Sequence, residues 1–402
     1  MVRGLCNRTR EPREGTVLVT PILDAGLYDA IVAARAVVCG AGGLTGHMQS
    51  LCRGRGIPVL RVEESDLAGL TGEVTLHLDS ATVVAGRART APVQGDPGPE
   101  DLGSACAVIA DLQDITAINS CGPHAAQVQS FFIREEFLCL ALGLSPLDAL
   151  GGGPAAVGAY GRALAERLAE FAGELLPGQR LDLRMLDLRS DHAAGVTEAV
   201  PVAVEPNPEM GLHGARWLLG SDAYRASLHV LLASLRERLG AEAGQVRLSV
   251  PFVNDEVEFT RLRAHLRLPD ELPLSAFIET PSAVHATSAI CAAGVSELFV
   301  GLKDLVQFYL AADRGNHLVS DSYLTRHPAV LDGVRRVVEA ARAAGTPVRV
   351  FSLAADLDHY LTHLPVPDGY MMCTAELRQV LLSGRAPSPH LPPPVQAVRH
   401  RG

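Results

Sequence analysis

Aromatic side chains are scarce in this 402-residue chain: ten Phe, seven Tyr and one Trp make up 4 % of it. Its cores must therefore be built from Leu, Val and Ala, and a 48 % hydrophobic, 20 % charged composition is ordinary for a soluble chain able to bury them. No run of eighteen apolar residues occurs, so no transmembrane helix is expected. A basic surplus is missing as well. The formal net charge of −10 excludes an extended nucleic-acid surface, which needs clustered Lys and Arg to neutralise phosphates. None of the eight cysteines forms a Cys-x-x-Cys pair, so they read as buried thiols rather than a disulfide or zinc framework. The opening MVRGLCNRTREPREG is polar where a signal peptide needs an apolar stretch, which places the chain in the cytoplasm and off membranes.

The length suits two or three domains. Short β-rich runs at 16–20, 36–39 and 57–61 and a hairpin at 73–85 make a small α/β unit over residues 1–88. The stretch RTAPVQGDPGPEDLGS at 89–104 is rich in Pro, Gly and Asp and reads as a linker, able to span roughly 50 Å when extended. Eight further runs, at 106–110, 128–133, 181–186, 246–251, 275–278, 297–300, 347–351 and 369–373, alternate with segments of helical period. That alternation predicts a parallel (β/α)8 barrel of the TIM type over 105–385, with an open doubly wound sheet as the alternative. The Pro-rich tail 386–402 reads as disordered.

Two constellations carry chemistry. In CGAGGLTGHMQSLCRGRGIPVL, Gly42 and Gly43 precede His47, which falls in the first turn of a helix. Orphan N–H groups and the helix dipole favour an anion there, as for a phosphorylated imidazole. From the residues alone, a plain turn feeding a helix is the stronger reading. The second set stands at the strand ends where a barrel keeps its reactive groups: Arg134, Arg184 with Asp187, Glu279, Asp304, Ser352 and Cys373. Carboxylates and guanidiniums at one mouth suit Mg²⁺ with a phosphorylated or carboxylate ligand, although any one of them could merely cap a helix or form an ion pair.

The order of these motifs resembles the phosphoenolpyruvate synthase and pyruvate phosphate dikinase family of PEP-utilising enzymes. Gly42, Gly43, Thr45, His47, Arg53, Gly56, Ile57 and Pro58 match its phosphohistidine signature, with Gly46 and Met48-Gln49 as departures. FFIREEF and LRMLDLRSDH match its substrate-arginine segments, FIETPSAV and VGLKDLVQFYLAADRGN its metal-binding segments. The resemblance covers roughly residues 16 to 380. It implies a swivelling domain whose His47 carries the phosphoryl group, Arg134, Arg184, Lys303 and Arg314 on a pyruvate- or PEP-like substrate, and Mg²⁺ on Glu279 and Asp304.

Three departures bear on chemistry. Lys303 stands where the family has Asn, His213 replaces an Arg, and Phe351-Ser352 replaces the Cys-Gly whose thiol exchanges a proton with the enolate carbon. Cys373 is a possible substitute acid, its plainer reading being a small core residue. No Gly-rich ATP-grasp region precedes the histidine segment, which implies a separate ATP-grasp protein as phosphoryl donor. A homodimer through the barrel is a further expectation. The competing reading is a catalytically degenerate relative that binds a ligand or partner. A metal-only hydrolase barrel leaves His47 unexplained.

Overall fold

Period-two runs of β-branched and aliphatic residues form strands only where neighbours complete their hydrogen bonds, and the chain does this in two sheets. The computed structural model describes residues 2–41, 47–78, 82–86, 102–193, 205–314 and 316–383. They fall into two compact units, one within Met1–Pro99, Ala312–Tyr323 and Cys373–Gly402, the other within Glu100–Ala311 and Leu324–Met372.

The first sheet has strands β1 (Val2–Asn7), β2 (Val17–Ile22), β3 (Ala36–Ala41), β4 (Val59–Arg61), β5 (Glu73–His77) and β6 (Thr82–Ala85) in the order β4-β3-β2-β1-β5-β6. β1 to β4 pair in parallel, while β5 and β6 run antiparallel. β2 to β6 follow the runs read from sequence. β1 does not: it lies in the polar opening segment yet sits in the middle of the sheet, joining the two halves. Its exposed Arg3 and Leu5 disguise the strand. Val17, Val19, Ala36, Val38, Leu60, Leu70, Val74 and Leu76 form the core beneath. The helix His47–Gly54 ends before Gly56, whose φ of 65° only glycine adopts without strain. The turn then leads through Ile57 and Pro58 into β4.

The second sheet is a closed eight-stranded barrel in the order β10-β11-β12-β13-β14-β7-β8-β9. Its strands are β7 (Ala105–Ile109), β8 (Val128–Arg134), β9 (Arg180–Arg184), β10 (Val246–Val250), β11 (Leu274–Ile278), β12 (Leu298–Val300), β13 (Val348–Phe351) and β14 (Gly369–Cys373). Each lies within a residue or two of its expected run, and closure decides against the open sheet. Phe132, Phe277 and Phe299 touch one another, with centroids 5.1 to 6.0 Å apart, although β8 is remote from β11 and β12 in strand order. Such contacts are possible only across the barrel interior. Because side chains alternate, Arg180, Asp182 and Arg184 of β9 share that inward face, and paired residues on β8 and β10 point with them.

The interior is therefore layered, charged at both ends with an aromatic plug between. Among the described residues no helix is long and apolar enough to cross a membrane. All eight cysteines are free thiols, and seven are buried. The linker and tail read at 89–104 and 386–402 lie almost wholly or wholly outside the described residues.

Candidate active site at the barrel mouth

Strands that end together bring their terminal residues together, and Arg134 and Arg184 are paired across β8 and β9. Arg184 is 4 % exposed and is the hub. Its Nη2 donates to Glu136 Oε1 at 2.5 Å and lies 3.1 Å from Asp187 Oδ2; its Nη1 lies 3.6 Å from Glu279 Oε1. Burial disfavours the guanidinium's charge, but Glu136, Asp187, Glu279 and Asp304 outweigh it and hold the group protonated well above its usual range. Arg134 is less buried and lies over the Phe137 ring, 5.1 Å from its centroid.

Glu279 follows β11 directly and is 2 % exposed. Its Oε2 accepts a hydrogen bond from the backbone N–H of Phe252 at 3.0 Å. Phe252 has a φ of 51°, a left-handed conformation that costs about 1 kcal/mol or more for a bulky residue and is held where surrounding structure demands it. Burial first, and then the negative charge of Asp304, push the Glu279 carboxyl up to about 8. Asp304 sits in the first turn of the helix Leu302–Leu310 and is also buried. Gly301, between β12 and that helix, leaves the space Glu279 occupies: a Cβ there would lie 2.3 Å from Glu279 Cγ.

Among the described residues no cluster of three or more His, Cys, Asp or Glu forms a protein-only metal cage. Two mutually repelling buried carboxylates fit Mg²⁺, which uses one or two carboxylates and takes its other ligands from water and phosphate. Glu279 and Asp304 could hold it.

Lys303, one residue before Asp304, is buried and places its ammonium 4.5 Å from the centroid of the Phe351 ring. Ser352 follows Phe351 and donates its hydroxyl to the Leu353 carbonyl at 2.8 Å. Cys373 closes β14 and is fully buried. Arg314 lies beyond the Leu302–Leu310 helix and is 9 % exposed. His47 opens the helix His47–Gly54, whereas Gly42, Gly43 and Thr45 lie outside the described residues.

Two features escaped the sequence reading. Glu136 binds Arg184, while its neighbour Glu135 turns to Tyr160 and Tyr224, whose hydroxyls each donate to it at 2.6 Å. A doublet of acids in a first helical turn signals helix capping and gives no hint of this division. Behind Arg184, Asp187 Oδ1 is 2.8 Å from His213 Nδ1, and His213 Nε2 is 3.0 Å from the Glu209 carbonyl. Glu209 is in turn ion-paired to Arg189 and accepts from Gln307 Nε2 at 2.9 Å. His213 was visible in the sequence; its attachment to Asp187 was not.

Comparison with known proteins places both parts of the chain in one family. The family model for the PEP-utilising enzyme, PEP-binding domain, matches residues 162–364, and that for the PEP-utilising enzyme, mobile domain, matches residues 12–82. A probable phosphoenolpyruvate synthase of Archaeoglobus fulgidus is 22 % identical over 361 residues, which is 87 % of this chain and 47 % of that protein. The phosphoenolpyruvate synthase of Pyrococcus furiosus is 24 % identical over 361 residues, covering 84 % and 43 %. A phosphoenolpyruvate-protein phosphotransferase of Cupriavidus necator is 34 % identical over 157 residues, covering 36 % and 26 %. The chain thus spans less than half the length of these relatives. With a small α/β domain ahead of a closed parallel barrel, and matching models over both, the chain belongs to the family of PEP-utilising enzymes.

Proposed function

We propose that this chain moves a phosphoryl group between His47 and a pyruvate- or enolpyruvate-like acid bound at the barrel mouth. The observation that carries the reading is the buried Arg184 among Glu136, Asp187 and Glu279, with the Asp304 charge acting on both Arg184 and Glu279. That arrangement fixes a guanidinium fork beside two acids that demand a cation. Arg134 and Arg184 would orient the substrate's phosphate or carboxylate oxygens, and Lys303 would add a point charge. Arg314 belongs to the same substrate set on the family resemblance. Mg²⁺ on Glu279 and Asp304 would neutralise charge on the phosphoryl oxygens during transfer. The His47 imidazole would accept or give the group, and a separate ATP-grasp protein would load it when PEP does not. Flux in either direction suits these residues.

A second reading, ligand binding without turnover, has one observation in its favour: Phe351 offers no exchangeable proton where the family's acid/base thiol would stand, and Cys373 is sealed in the core. Under the first reading that difference implies an altered acceptor acid.

Intact-mass spectrometry after incubation with phosphoenolpyruvate and Mg²⁺ separates the two. The expected result is one acid-labile phosphate, absent in His47→Ala. Its absence from the wild type, with PEP and with a co-purified ATP-grasp protein plus ATP, would remove the transfer reading. Glu279→Ala and Asp304→Ala should each abolish Mg²⁺-dependent ligand binding, and unchanged binding in both removes the metal assignment.

A further inference from the structure

The opposite end of the barrel holds a second charged layer that the proposed chemistry does not use. Arg180 opens β9, Arg247 is the second residue of β10, Glu297 immediately precedes β12, and Arg349 is the second residue of β13. All four stand at the N-terminal ends of their strands, below the Phe132, Phe277 and Phe299 plug. Asp182 lies one inward step along β9 and is paired in register with Arg247.

Within this layer the pairing is uneven. Glu297 is ion-paired to both Arg180 and Arg349. Arg180 Nε also lies 3.3 Å from Asp182 Oδ2, and Arg349 Nε donates to the Ser104 carbonyl at 2.9 Å. Three guanidiniums thus face two carboxylates, both at most 3 % exposed, and the acids are spent on Arg180 and Arg349. Arg247 is left over. It is half-buried, it lies within 4 Å of neither carboxylate, and its Nε is buried with no hydrogen-bond acceptor among the described residues. Burial, and then the positive charge of Arg180, work against its protonation. A buried donor without a partner is costly and a guanidinium fork binds oxyanions in preference to halides, so an oxyanion beside Arg247 would relieve it.

We propose that Arg247 is the receptor of a small-oxyanion site at the N-terminal end of the barrel. Its ligand is a carboxylate or an inorganic phosphate, held by the Arg247 fork and drawn by the excess positive charge of the layer. The site stands apart from the mouth and does not depend on the transfer reading.

The test is thermal unfolding of the full chain as chloride is replaced by inorganic phosphate, or separately by acetate, at constant ionic strength. Wild type should gain roughly 2–5 °C, saturating in the low millimolar range rather than climbing linearly as excluded salts do. In an Arg134→Ala background, which weakens anion binding at the mouth, the gain should persist; adding Arg247→Gln should remove it, and adding Arg247→Lys should raise the anion needed at least tenfold. A gain with phosphate alone assigns phosphate, and a gain with both anions assigns carboxylates as well. No saturable gain in wild type, an equal gain once Arg247→Gln is added to Arg134→Ala, or loss in Arg134→Ala alone would overturn the site. Should Arg247→Gln not fold, the Arg247→Lys titration decides by itself, an unchanged midpoint counting against the proposal.

Discussion

The ammonium of Lys303 stands 4.5 Å from the centre of the Phe351 ring, so two residues far apart in sequence meet as one contact. A buried ammonium needs a partner, and an aromatic face supplies one worth about 1–2 kcal/mol when desolvated.

If the missing thiol is what limits proton exchange at an enolate carbon, Phe351→Cys should restore it. The expected outcome is at least a tenfold faster Mg²⁺-dependent exchange of pyruvate methyl protons with deuterated water, followed by NMR, within the ~10²–10⁴ range of a positioned acid. The variant should also lose about 2–4 kcal/mol of stability through the cavity it opens. No gain in exchange in a folded variant would show that another group serves, or that pyruvate is not the ligand.

Arg184→Met removes the cation on which Glu136, Asp187 and Glu279 converge. Leaving buried carboxylates uncompensated should cost roughly 3–5 kcal/mol, and millimolar Mg²⁺ should recover part of it. Arg184→Lys should recover little, because a single ammonium cannot span three acids. Melting curves with and without Mg²⁺ measure both effects; a loss below about 1 kcal/mol would count against the hub.

Gly301→Ala drives a methyl into Glu279 Cγ. The cost should be about 1–3 kcal/mol, with Mg²⁺ binding lost. In a Glu279→Ala background the same change should cost less than about 0.5 kcal/mol, since the obstructing atom is gone. Additive losses in the double-mutant cycle would show that the glycine serves something else.

Glu135 provides a pH dependence away from the proposed metal. Burial pushes its carboxyl up to about 7 despite the two tyrosine hydroxyls donating to it. A raised folded-state value means that its contribution is fully present below the unfolded value near 4.3 and is lost as pH rises through about 7. Glu135→Gln should therefore match wild type at pH 4 and be the more stable at pH 8.5, by roughly 3 kcal/mol. Chemical denaturation at the two pH values measures it. A constant difference would mean that Glu135 stays ionised throughout.

Much of the architecture was legible because hydrophobic pattern and strand length are local properties. All eight barrel strands and the β5–β6 hairpin could be read from runs of four to seven residues. β1 could not, because its alternation is broken by Arg3 and Gly4 and its place is secured by hydrogen bonds to β2 and β5. At the site, Arg134, Arg184, Glu279 and Asp304 were legible as charges at strand ends and helix starts. Glu136 and the backbone N–H of Phe252 were not. One depends on which of two adjacent acids turns inward, the other on a left-handed φ forced by packing.

By itself the sequence determined the two-part organisation, the barrel and the kinds of group at its mouth. These follow from periodicity and residue type, which act over a few residues. Which acid holds which guanidinium, and that Arg247 is paired to none among the described residues, was decided only when eight strands closed and set their inward faces against one another. Ion pairing is a matter of ångströms between residues tens or hundreds of positions apart, and only the closed barrel sets those distances.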